Sequence, residues 1–149
     1  MSTRLIAAAV LSALVLSTAA CKSTAEQAFE FAVADARSAA EQGRQELEKV
    51  ANRGGNVEAG ARAAIFGPHT VFASRNVEGG FEIDAVYYGA GRAGSAGTYE
   101  GTSVRLCVRF EVHPGRDPLV GTSDVECSSE LPTTVGYYGT VTRTVRLED

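Results

Sequence analysis

The sequence predicts an α+β domain, with one N-terminal amphipathic helix packed on an antiparallel sheet of about five or six strands. Two observations carry this. Apolar and small residues recur at three- and four-residue intervals from Ala25 to Val50, the period of a helix with one buried face. After Gly54-Gly55 the period changes to two, in short runs rich in Val, Thr, Phe and Tyr separated by Gly, Pro and Asp clusters.

In chain order, the first element is an export signal over residues 1–20. Arg4 supplies a short positive region, Leu5 to Leu16 is apolar except for Ser12, and Ser17-Thr18-Ala19-Ala20 are small. A spanning helix needs roughly 20 apolar residues, and this core is too short for a permanent span. The small residues run directly into Cys21, and Thr18-Ala19-Ala20-Cys21 resembles the lipobox of bacterial lipoproteins, with Thr18 where that family most often has leucine. The resemblance covers the signal alone. It implies acylation of the Cys21 thiol, cleavage just before it, and a mature protein held on the extracytoplasmic face of a membrane. Two acyl chains give a stable anchor at about 0.8 kcal/mol per buried methylene. A richness in Ala, Gly and Val and an excess of Arg over Lys also resemble actinobacterial lipoproteins.

The mature domain is expected to cover 21–149. Its helix is expected over 24–52, because Ser23-Thr24-Ala25-Glu26 and Thr24-Ala25-Glu26-Gln27 both fit a capping box and Gly54-Gly55 supplies a stop. Ala28, Ala32, Val33, Ala36, Ala40, Gly43 and Leu47 mark the buried stripe, with Glu30, Arg37, Glu41 and Arg44 mostly away from it. The sheet is expected over 62–147, with strands at 62–66, 69–75, 81–88, 103–112, 119–127 and 139–147. Val104, Leu106, Val108, Phe110 and Val112 alternate with polar positions, so one sheet face should be core and the other largely wet. His113-Pro114-Gly115-Arg116-Asp117-Pro118 reads as the turn of a 103–112/119–127 hairpin.

With Cys21 assigned to lipid, Cys107 and Cys127 form an even pair in an oxidising compartment, and one disulfide is expected between them. Its register stays open. Direct opposition would set Val108 and Phe110 across from carboxylates, whereas a bridge at a strand end or a bulge would not require that.

Charge excludes one class of partner. Without Arg4, thirteen basic residues face eighteen acidic ones, and a formal charge near −5 attracts no nucleic acid. No metal ligand spacing surrounds His69 or His113, which read as surface or loop residues, and no metal or cofactor is expected. Gly89 to Gly94 matches G-x-G-x-x-G, but Ser95, Gly97 and Thr98 lead into a strand and not a helix, so a flexible hairpin loop is expected there. No Gly-x-Ser-x-Gly elbow supports a catalytic triad, and no catalytic residue is assigned. Glu82 with Asp84, and Asp124 with Glu126, share strand faces as carboxylate pairs, and solvated faces explain them.

Tyr87-Tyr88, Tyr99 and Tyr137-Tyr138 cluster near predicted strand ends. On a strand one ring of each pair must point to the core, which leaves Tyr88, Tyr99 and Tyr137, with the 91–97 loop, as the expected contact surface for a protein or small-molecule ligand. Two functions follow. The first is a membrane-anchored, non-enzymatic binding or interaction module of the cell envelope. The second is a small extracytoplasmic hydrolase or isomerase with its site in the concave face of the sheet. The order of helix and then strands resembles cystatin-like and nuclear-transport-factor-like folds, an analogy that implies no activity.

Overall fold

The computed structural model describes residues 22–148, so the signal expected over 1–20 and the lipid attachment expected at Cys21 lie outside the described residues. Ser23 starts the long helix. Its hydroxyl accepts from Glu26 N at 3.2 Å and its own N–H donates to Glu26 Oε2 at 2.8 Å, the reciprocal capping box. Helix α1 then spans Thr24–Asn52, and Gly54, at φ +67°, ends it with its N–H on Ala51 O. On the outer face Arg44 bridges Glu41 and Glu48, and the guanidinium, followed by the Gln45 amide, holds the Glu41 carboxyl down at about 2.

Two strands of a long hairpin dominate the sheet. β1 (Thr70–Val77) pairs antiparallel with β2 (Gly80–Ser95), and β2 pairs antiparallel with β3 (Thr98–Val112) from Phe81↔Val112 to Ser95↔Thr98. Ala96 and Gly97 turn this hairpin, both at positive φ, a two-residue turn whose hand matches strand twist. The outer edge of β3 is shared. β4 (Val120–Asp124) runs antiparallel to Val108–Val112, while β7 (Arg143–Val145) runs parallel to Val104–Leu106. β5 (Thr134–Val135) and β6 (Gly139–Thr140) form a small ribbon around a 3-10 turn at Gly136–Tyr138.

The α+β class stands, with one long helix on a mostly antiparallel sheet of five strands. Several local expectations are corrected. Residues 62–66 are not a strand. Asn56 caps a short helix α2 (Val57–Ala63) by accepting from Ala59 N at 3.0 Å, and Gly60 lets that helix close on Phe81. The expected last strand at 139–147 is split between β6 and β7, and β7 pairs in parallel. The expected 91–97 loop is strand except for its two-residue turn.

The glycines of that segment serve helix packing. A Cβ at Gly89 would collide with Ala32 O, and one at Gly91 with Ala28 O, so the backbone of α1 rests directly on the backbone of β2. Val104, Leu106, Val108, Phe110 and Val112 complete this core from β3, with Leu47, Ile83 and Phe81.

The opposite face is not largely wet. Val86, Tyr88, Cys107 and Leu131 form a second core, over which Phe72, Val125, Cys127, Val135, Tyr138 and Val141 close. Thus Tyr87 and Tyr88, which point to opposite faces, are both fully buried. The covering segment, residues 125–142, is pinned by the Cys107–Cys127 disulfide (S–S 2.03 Å, Cα–Cα 5.5 Å). Cys127 lies beyond the end of β4, where Val125 N donates to Cys107 O at 3.2 Å. Val108 does stand across from a carboxylate, Asp124, which is satisfied by accepting from Leu147 N at 2.9 Å.

Overpacking the helix seat tests this account. Gly89→Val should lower stability by about 1–3 kcal/mol or more. Gly101→Ala, whose added Cβ meets nothing closer than 3.8 Å, should leave it nearly unchanged. Urea unfolding midpoints distinguish the two outcomes.

Candidate functional site

β1 ends opposite Val86, and β2 continues without it. Two side chains take over the hydrogen bonding there. Tyr88 N donates to His69 Nδ1 at 3.1 Å, and Ala90 N donates to Asp35 Oδ2 at 3.0 Å, Asp35 reaching across from α1. His69 is only 6% exposed, against the surface or loop role expected for it. Phe66 meets its ring edge-on at 4.8 Å between centroids, and the rings of Tyr87 and Tyr138 lie at 5.3 and 6.1 Å. Burial pushes the His69 imidazole below its usual pKa, and the charge of Asp35 opposes this. A neutral ring accepting at Nδ1 carries its proton on Nε2.

Beside this cluster lies a cleft of about 790 Å³. Asp35 forms one wall, Ala90 to Arg92 and Gly101 to Ser103 the floor, and Gly136 to Thr140 with Thr142 the far wall. Threonine and serine side chains fasten the far wall. Thr142 N and Thr142 Oγ1 both donate to Ser103 O at 2.9 Å, Thr142 Oγ1 also meets Thr102 Oγ1 at 2.9 Å, and the Ser103 hydroxyl donates to Tyr138 O. Gly136 and Gly139, at φ +26° and +68°, shape the 3-10 turn that tucks Tyr138 toward His69 and lifts Tyr137 to 88% exposure.

The lining of the cleft therefore combines an open phenol ring at Tyr137, the Asp35 carboxylate and Arg92, which forms no ion pair among the described residues. These groups suit a ligand that stacks on an aromatic face and exchanges hydrogen bonds with hydroxyls. Burial raises the phenol of Tyr138, with the charge of Asp35 adding to it.

Of the expected contact tyrosines, Tyr137 reaches this cleft. Tyr99 is exposed further along the hairpin, and Tyr88 is corrected, since at 1% exposure under the 125–142 segment it presents nothing to a partner. Burial raises its hydroxyl, with Arg105 opposing, and that hydroxyl has no hydrogen-bond partner among the described residues. Asp35 and His69 were the site residues missed. The available signal for Asp35 was a lone charge in the alanine-rich stretch Ala32 to Ala36.

The carboxylate pairs do other work. Asp84 receives Arg109 at 2.7 and 2.9 Å in a bidentate pair, and Arg75 joins Glu82 and Asp84. Gly89 to Gly94, matching the dinucleotide fingerprint, is strand under α1 and presents no helix start to a phosphate. Comparison with protein-family models, curated proteins and solved structures returned no match.

The buried imidazole predicts a pH dependence of stability. The unfolded chain takes up its proton near pH 6.5, whereas folded His69 does so only at lower pH, so the unfolded state binds more protons in between. Stability should fall as pH drops through about 6.5 and level off below the folded value. His69→Asn, retaining an acceptor for Tyr88 N, should flatten this part of the profile in urea midpoints taken between about pH 5 and pH 7.5.

Proposed function

We propose that the chain is an extracytoplasmic lipoprotein, anchored by acyl chains on Cys21, whose single domain is a non-enzymatic binding module taking its ligand in the cleft beneath Tyr137. The observation that carries the anchoring is the export signal ending in Thr18-Ala19-Ala20-Cys21, with only Lys22 and Ser23 between that cysteine and the first turn of α1. Such a spacer seats the domain close against the membrane. No described helix is long and apolar enough to cross a membrane.

The binding-module reading is supported over the hydrolase or isomerase reading by the position of His69. It does not line the cleft. Its ring packs behind Tyr138, and its Nδ1 already accepts from Tyr88 N. A histidine acting as general base must come within hydrogen-bond reach of its substrate.

Intact-mass analysis of protein from the membrane fraction tests the anchoring. The expected mass is that of a chain beginning at Cys21, with acyl groups added and two protons missing for the disulfide. Cys21→Ser should lose the acyl mass and leave the membrane fraction. If that variant stays on the membrane in unchanged amount and form, the proposal fails.

A further inference from the structure

The packing of α1 on β2 fixes where the end of the long hairpin lies relative to the start of the helix. Moving from Gly89 to Gly91 changes the helix atoms met from Ala32 O and Ala36 N to Ala28 O and Ala32 N. Two strand residues, about 6.6 Å, thus match four helix residues, about 6 Å. Strand and helix therefore run nearly side by side in opposite directions. Further out, Glu100, Gly101 and Thr102 share a recess with Ala25, Ala28 and Phe29, as this alignment requires. From Gly91 to the turn at Ala96 the strand advances a further five residues, about 16 Å. Ser23, the helix cap, lies about 10 Å beyond the level of Gly91. The turn consequently projects several ångströms past the start of α1, on the side from which the chain enters the helix.

The chemistry of this end fits a bilayer surface. Gly94-Ser95-Ala96-Gly97-Thr98-Tyr99 carries no charge in a chain that is 21% charged. Tyr99 is 68% exposed, and tyrosine favours the headgroup level, where its ring is in apolar surroundings and its hydroxyl stays wet. Lys22, just before the cap of α1, is already paired with Glu30 at 2.6 Å. Without large aliphatic residues, the turn has nothing to drive it deeper than the headgroups.

We infer that the β2–β3 turn, with Tyr99, is a second membrane contact that rests on the lipid headgroup region beside the acylated cysteine and sets the orientation of the domain. This rests on the anchoring proposed above. A single acyl-bearing residue is a swivel, whereas two separated contacts define an axis.

The sequence contains no tryptophan, so Tyr99→Trp creates a unique fluorophore, and Arg116→Trp provides one in the β3–β4 turn at the opposite end of β3. Both acylated full-length variants are reconstituted in phosphatidylcholine vesicles, with and without lipids brominated near the headgroup. The expected result is blue-shifted emission and strong bromine quenching for Tyr99→Trp, and neither for Arg116→Trp. If the acylated protein floats with the vesicles and the two tryptophans behave alike, the turn is not a contact, and the anchoring stands. If the purified protein carries no acyl group and does not float, both readings are overturned.

Discussion

The contact between the small-residue face of α1 and Gly89 and Gly91 of β2 sets the geometry of this domain. Ala28, Ala32 and Ala36 add almost no thickness to the helix, and the two glycines add none to the strand, so main chain meets main chain. That closeness is specific, since any side chain at either glycine must displace helix backbone. It brings Asp35 within reach of Ala90 N, and it aligns the helix with the hairpin from Gly43 beside Tyr87 to Ala28 beside Gly91.

The second organising feature is the 125–142 segment. A sheet with one helix normally keeps a wet face, but here a disulfide and a short ribbon hold a strap of chain across half of it. The other half carries the Arg75, Glu82, Asp84 and Arg109 network, where charges are paired. The cleft arises at the boundary of the strap with the hairpin, its walls supplied by segments far apart in sequence. Its polar lining follows from this, because Thr102 and Ser103 of β3 carry hydroxyls that tie the strap down.

The long helix, its capping box, the 103–112 strand and the disulfide were legible in the sequence because each depends on local period or on a pair of identical residues. What was not legible depends on partners distant along the chain. The Gly89 to Gly94 run looked like a loop because glycine alone does not reveal whether it provides turn freedom or room for a neighbour. Tyr88 looked exposed because alternation assigns opposite faces without saying that both are covered. His69 gave no signal, since its role is set by the place where β1 stops. The short helix α2 was hidden because its end, at Arg62 and Ala63, runs into the apolar residues 63–66, a stretch too short to distinguish one period from the other.

The two side chains that receive Tyr88 N and Ala90 N have a consequence for encounters between copies of the chain. Exposed strand edges are templates on which another chain can build a sheet, and natural proteins block them. By occupying those amides with an imidazole and a carboxylate, the molecule blunts the margin of its longest strand without spending another strand on it. Neighbouring copies therefore meet a margin that has fewer free amides to offer, and the strand retains its length without becoming a seed for edge-to-edge association.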